Sequence, residues 1–191
     1  LMVVSSYDPA MIADMQRARM LAWELPRLGW DVEILAPESS FQNENYLDID
    51  SKVFFPPDIV VHSARPWIPG IFAKLGMRSI GWRAFKSMRT QGLELLKTKR
   101  FDLVYFTTTQ FGLFLLGPSW RKRTGIPYVL DFHEPWYQEK RGTIATTKHA
   151  FKREIVRKLS KYIESKSVQA ASALVSVSPA YLDELKVRDE S

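Results

Sequence analysis

The 191-residue chain carries 27 Lys and Arg against 21 Asp and Glu, a formal net charge of +6, with 46% hydrophobic residues, 25% charged residues and no cysteine. Those proportions fit one ordinary globular domain, and without cysteine there is no disulfide framework, thiolate metal site or cysteine nucleophile. No run approaches the roughly 20 apolar residues that cross a bilayer, and the opening Leu1-Met2-Val3-Val4 lacks the basic segment that begins a signal peptide. The start at Leu1 and the polar tail Lys186 to Ser191 lead us to expect a piece of a longer polypeptide.

The charge is unevenly placed. Residues 1–64 hold 4 basic and 10 acidic side chains, whereas 65–100 hold 9 and 1 and 148–166 hold 7 and 2. Two basic blocks of this kind describe either solvated surface or a face for a polyanionic partner.

In chain order, short β-branched or apolar runs alternate with longer amphipathic stretches, the pattern of a parallel sheet covered by helices. The runs are Leu1 to Val4, Val32 to Leu35, Asp102 to Phe106, Tyr128 to Leu130 and Ala173 to Val177. Strands buried on both faces read this way. Val53 to Phe55 and Ile59 to Val61 are weaker, since they flank Pro56-Pro57 and suit an edge strand or an extended loop. Between the first two runs, Met15, Ala18, Leu21, Ala22, Leu25 and Leu28 repeat at helical spacing, with Pro26 distorting the last turn and Gly29 stopping the helix. This is the first half of a nucleotide-binding βαβ unit. Its loop Ser5 to Ala13 has no glycine, however, so the dinucleotide fingerprint is missing.

The block from Arg65 interleaves Trp67, Ile68, Ile71, Phe72, Leu75, Trp82 and Phe85 with Lys74, Arg78, Arg83, Lys86 and Arg89. Three readings stay open: an apolar helix face packed on the sheet, a segment seated in an anionic lipid interface, and a nucleic-acid surface. Pro69-Gly70 delays any helix and leaves Trp67 and Ile68 on a loop. Arg65, Trp67, Ile68, Lys74, Arg78 and Arg83 are the candidates for a membrane or acceptor surface.

Tyr128-Val129-Leu130 runs directly into Asp131-Phe132-His133-Glu134-Pro135-Trp136. The carboxyl ends of parallel strands line the ligand crevice, so this loop delivers Asp131, His133 and Glu134 to the place where chemistry occurs. An imidazole beside two carboxylates can bind a hydroxyl, orient a sugar or titrate near neutrality. His62 and His149 lie in unrelated segments without ligand spacing, so no metal is expected. Lys148 to Lys166 reads as a long basic helix with Phe151, Ile155, Leu159, Tyr162 and Ile163 as its apolar stripe. After Ala173 to Val177, Ser178-Pro179 reads as an N-cap and first helical residue, and also as an anion site.

The order of Met2 to Ser5, Arg17 to Leu25, Gly29 to Leu35, Phe101 to Tyr105, Gly125 to Trp136 and Ala170 to Ser178 resembles the N-terminal Rossmann-like domain of a two-domain GT-B glycosyltransferase, similar to glycosyltransferase family 4. The resemblance covers nearly the whole chain. It implies a doubly wound α/β domain over residues 1–191, half of a two-domain architecture, on the acceptor side, with the nucleotide-sugar domain and its paired glutamates expected beyond Ser191. It also implies transfer from a nucleotide-sugar donor to a glycan or lipid-linked acceptor in polysaccharide biosynthesis. Retention of configuration is expected, with no metal or other cofactor and no nucleic-acid partner, in a cytoplasmic protein able to lie on the inner face of the cell membrane. His133 and Glu134 match the catalytic loop. Tyr7, Asp8, Asp14, Arg17, Asp131 and Ser178 become the candidate substrate-binding residues. The loop Tyr7 to Asp14 lacks the glycines that many members have there, which leaves Arg17 as the group expected to reach a phosphate or the acceptor. As an isolated piece the domain is expected to be inactive. Two other classes stay open: a non-catalytic membrane-associating subunit that pairs with a separate nucleotide-sugar domain, and a doubly wound binding or regulatory module.

Overall fold

The computed structural model describes residues 1–10, 12–43, 45, 47–67, 79–134 and 150–183. Six strands form one sheet: β1 (Met2–Val3), β2 (Glu33–Pro37), β3 (Val60–Ala64), β4 (Val104–Thr107), β5 (Tyr128–Phe132) and β6 (Ala173–Ser176). Their order is β3-β2-β1-β4-β5-β6, and all five pairings are parallel. This is the doubly wound Rossmann-like arrangement that the run pattern predicts. The connecting helices are α1 (Ala13–Arg27), α2 (Ile80–Thr98), α3 (Leu116–Thr124) and α4 (Ala150–Gln169).

Side-chain alternation along the strands divides the core in two. Met2 and Val4, with Ile34 and Ala36, face one side and pack with Met15, Ala18 and Ala22 of α1. Val3, Leu35, Val104 and Phe106 face the other side, against Ala84 and Met88 of α2 and Trp120 of α3. Buried rings knit this second layer: Phe106 stacks on Trp120 at 5.7 Å between centroids, and Phe114 meets Phe132 edge-on at 5.1 Å. Trp120 Nε1 donates to the Arg89 carbonyl at 3.1 Å, so the buried indole keeps a polar partner.

α1 ends as its sequence dictates. Pro26 stays inside the helix, Leu28 N–H turns back to the Leu25 carbonyl, and Gly29 takes φ +84°. That left-handed conformation is cheap for glycine alone. The segment Val53 to Phe55, read from sequence as a weak strand or loop, lies mostly in the 3-10 helix Ile49–Phe54, while the second weak run does become the edge strand β3. Two helices escape the sequence reading. α2 buries Gly81, Ala84, Met88, Gly92 and Leu96, a stripe of mainly small residues without a strong apolar signature. The reason for one of them is steric: a Cβ at Gly92 would lie 2.3 Å from Trp120 Cζ2. α3 is short and heavily basic at its end, stopping at Gly125 with φ +75°.

The apolar stripe predicted for α4 is split. Ile163 is buried, but Leu159 and Tyr162 are 51% and 60% exposed. The helix packs instead through Ile163, Glu164 and Ser167, because the Tyr128 hydroxyl reaches across to donate to the Ser167 carbonyl at 2.6 Å. Ser178 precedes a helix beginning at residue 179 and accepts the Tyr181 N–H at 3.2 Å, in keeping with the predicted helix start. Among the described residues, no helix is long and apolar enough to cross a membrane.

Candidate functional site

The chain leaves β1 and β4 toward opposite sides of the sheet, which opens a crevice at their carboxyl ends. Three strand ends supply it: Ser5, Asp14 and Arg17 follow β1, Thr107 to Thr109 end β4, and Asp131 to Glu134 end β5.

Asp14, nearly buried at the start of α1, collects donors from two segments. The Ser5 hydroxyl donates to Oδ2, the Thr108 hydroxyl donates to the same oxygen at 3.3 Å, and the Thr109 N–H donates to Oδ1 at 2.5 Å. Burial pushes its carboxyl above the ordinary range, against the lowering effect of the Thr109 and Thr108 donors and of His133. Asp131, fully buried, takes the opposite direction. Burial works to raise it, but the His133 contact, the Arg17 guanidinium and the Thr107 hydroxyl together hold it below the ordinary carboxylate range. Arg17 Nη1 meets Asp131 Oδ1 at 2.5 Å, with the Arg17 side chain one-third exposed. The phenol of Tyr105 also faces Asp131, and burial first, then that carboxylate, suppresses its ionisation.

His133 sits between these two acids. Its Nδ1 lies 3.7 Å from Asp14 Oδ1 and its Nε2 lies 3.5 Å from Asp131 Oδ2. Thr107 decides the tautomer. Its hydroxyl donates its one hydrogen to Asp131 Oδ2 at 3.0 Å, so it accepts from the Nε2–H of His133 at 2.7 Å. The imidazole is thus held through Nε2, with Nδ1 turned toward Asp14, and at 12% exposure it can meet a ligand entering the crevice. Oriented in this way it can hold a hydroxyl or carry a proton next to a bound sugar.

The structure therefore gathers Asp14, Arg17, Asp131 and His133 from among the sequence candidates, across more than a hundred residues of chain. Glu134 follows His133 as an exposed residue outside this hydrogen-bonded cluster. Tyr7 is buried against Phe55, edge-on at 5.0 Å, within the α1 layer of the core. The Tyr7 hydroxyl, Ser6 Oγ and Asp8 Oδ1 are buried without a hydrogen-bond partner. Burial raises the Asp8 carboxyl, and Lys52 partly offsets it. Ser178 lies two residues past the edge strand β6, where the Val177 N–H donates to the Phe132 carbonyl at 3.3 Å, and it makes no hydrogen bond to the cluster's side chains among the described residues. Of the surface candidates, Arg65, Trp67 and Arg83 come together beside α2, where the Trp67 N–H donates to the Arg83 carbonyl and Arg83 Nε donates to the Trp67 carbonyl, both at 3.2 Å. Trp67 lies on a loop, as Pro69-Gly70 suggested, whereas Ile68, Lys74 and Arg78 fall outside the described residues, as do Ile71, Phe72 and Leu75.

The three threonines were missed in the sequence. Thr107-Thr108-Thr109 directly follows the buried run Val104 to Phe106, the same strand-then-polar signal that marked Asp131 and His133. Among the described residues, no group of three or more His, Cys, Asp and Glu side chains could hold a metal ion.

A doubly wound parallel sheet with a polar, histidine-bearing crevice at its switch point defines a Rossmann-like ligand-binding domain. The family model described as Glycosyltransferase Family 4 matches residues 16–189. The chain belongs to glycosyltransferase family 4, its sheet is a GT-B domain, and glycosyl transfer between a sugar donor and an acceptor is the chemistry of that family. No curated protein matches the chain.

Proposed function

We propose that this domain is the acceptor-binding half of a retaining, metal-independent glycosyltransferase, working with a C-terminal nucleotide-sugar domain that closes over the crevice. The observation that carries the reading is His133, held by Thr107 and flanked by Asp14 and Asp131 at the switch point of the sheet. Its ring would contact the donor sugar, while Arg17, paired with Asp131 yet one-third exposed, would offer its remaining N–H groups to a phosphate or to the acceptor. Exposed Glu134 stands where a mobile acceptor or the closing domain would reach it. Ser178, at the neighbouring strand end, and Asp8, beyond β1, would form the outer rim, with Tyr7 shaping the loop from beneath. The acceptor would be a glycan or a lipid-linked precursor in polysaccharide biosynthesis, met at the inner face of the cell membrane, with the basic surface around Arg65, Trp67 and Arg83 turned to anionic lipid.

The test is the complete protein carrying His133→Ala, assayed for transfer and for donor hydrolysis across a set of nucleotide-sugars. A positioned acid-base or hydrogen-bonding group typically contributes about 10²–10⁴-fold, so transfer is expected to fall by about 100-fold or more with the fold intact. Unchanged transfer together with unchanged donor hydrolysis would refute the role.

A further inference from the structure

Among the described residues, β3 pairs with β2 alone, in an unbroken register that runs from Glu33 opposite Val60 to Pro37 opposite Ala64. Its other side presents a row of backbone N–H and C=O groups, a template for a further strand. Proteins that keep such an edge single blunt it with lysine, proline or a bulge. Val60-Val61-His62-Ser63-Ala64 has none of these, and Val60, Val61 and Ser63 are exposed. The exposure continues on the α1 side, where Phe55 and Ile59 pack into the core. There the 3-10 helix Ile49–Phe54 leads into β3 through Pro56-Pro57, with Val53 and Phe54 77% and 55% exposed. Trp23 of α1, itself exposed, donates its Nε1 hydrogen to the Phe54 carbonyl at 2.9 Å. Exposed apolar side chains gathered beside an unpaired edge mark an interaction surface.

The charges at the two ends of the strand select the occupant. Asp58 lies two residues before β3 and Arg65 directly after it, and both are exposed. Antiparallel pairing of two copies about a two-fold axis at His62 sets Val60 opposite Ala64 and Val61 opposite Ser63. The same register sets Arg65 opposite Ile59, beside Asp58 of the other copy, and the axis repeats that match. The edge is complementary in sign to a reversed copy of itself. A parallel copy would instead bring Asp58 to Asp58 and Arg65 to Arg65, and like charges directly opposite are destabilising. Each His62 ring near the axis already faces the Glu33 carboxylate at 2.6 Å, which offsets a positive charge there.

We propose that β3 pairs antiparallel with β3 of a second copy of this chain across a two-fold axis, joining two six-stranded sheets into one. Five paired residues fall short of the roughly 1,000 Å² that a specific interface buries. Val53, Phe54 and Trp23 beside the edge enlarge the contact with apolar and aromatic surface, the kind that anchors interfaces. The five N–H groups of a guanidinium let Arg65 meet Asp58 of the partner and still border the basic surface beside α2. Two strands, β2 and β1, separate the edge from the switch point, so the pairing needs neither donor nor acceptor and is independent of the transferase reading.

Sedimentation equilibrium of the chain across about 1–100 μM, a range that covers a modest interface, tests it. A monomer–dimer equilibrium is expected. Val61→Lys places on the edge the charge with which single edges are protected, and it should leave the chain monomeric across that range. Asp58→Arg and Arg65→Asp, each alone, turn two attractive pairs into repulsive ones and should weaken the dimer about fivefold, the scale of exposed ion pairs counted twice. Both changes in one chain restore opposite signs and should bring the affinity back, which a folding defect in either variant would not allow. Higher salt should shrink the difference between the single variants and the wild type, since these pairs are exposed. A chain that stays monomeric up to the highest concentration overturns the proposal. So does a dimer that Val61→Lys leaves intact, which would place the contact elsewhere, or a double variant as weak as the single ones, which would remove the antiparallel register.

Discussion

Arg17 and Asp131, 114 positions apart in the chain, meet at 2.5 Å beneath the crevice. The pair bridges α1 on one side of the switch point and the end of β5 on the other, so it couples the two halves of the doubly wound sheet at the place where ligand would enter. Because Asp131 is fully buried while Arg17 is partly exposed, the carboxylate depends on its partners far more than the guanidinium does.

Asp131→Asn is accordingly expected to destabilise the domain by about 1–3 kcal/mol at pH 7, the usual scale for losing hydrogen bonds to a buried charge. Urea denaturation measures it. The Asp131 carboxyl is held low, so its stabilisation is full above its unfolded pKa of about 3.9 and is lost as pH falls through the lower folded value. The gap between wild type and Asp131→Asn should therefore close in strong acid. A gap that stays constant down to that range would contradict the assigned partners.

Asp14 should show the opposite sign. Its carboxyl is raised, so the folded state binds the proton more tightly than the unfolded state, and this group's contribution to stability falls as pH rises from about 3.9 through the folded value. Asp14→Asn removes that slope. Denaturation midpoints for wild type and variant, followed from acid to neutral pH, should differ in slope in that window, and parallel curves would count against it.

Thr107→Val keeps the shape of the side chain but removes the hydroxyl shared by Asp131 and His133. The expected result is a redistribution of the His133 proton between Nε2 and Nδ1, visible in nitrogen-15 spectra of the imidazole, with a stability loss of about 1–2 kcal/mol. Thr107 is a positioning residue, so transfer by the complete protein should fall along with the tautomer change. An unaltered tautomer would break this link.

Gly92→Ala places a methyl group against the Trp120 ring, 2.3 Å from Cζ2. Overpacking of this kind costs about 1–3 kcal/mol, which for a domain of this size lowers the melting temperature by roughly 2–4 °C per kcal/mol. Calorimetry checks it, and a melting temperature equal to wild type would show that α2 can move away from α3.

Much of the fold was legible because strands buried on both faces must be apolar, and Met2 to Val4, Val104 to Phe106 and Tyr128 to Leu130 meet that demand in a row. α2 was not legible, because its contact face is Gly81, Ala84, Met88, Gly92 and Leu96, and small residues chosen for close approach leave little hydrophobic signal. The α4 stripe misled for the converse reason: Leu159 and Tyr162 have the right spacing, but the helix is turned so that Ser167 and Glu164 face inward. Asp131 and His133 stood out as polar residues straight after the apolar run Tyr128 to Leu130, although β5 itself continues through Asp131 to Phe132. Thr107 carried the same signal, but a hydroxyl advertises less chemistry than an imidazole does.

The sequence by itself determined the alternation of elements, the family and the two basic blocks, since these follow from local spacing, residue order and charge. Only the tertiary structure decided which groups meet. Asp14 stands in the first turn of α1, Thr107 ends β4 and Asp131 lies in β5, and the strand order β3-β2-β1-β4-β5-β6 brings them around one imidazole. The same folding turned the +8 block from a run of charge into two guanidinium groups on one aromatic ring, because a charge acquires partners by position in space rather than by position in the chain.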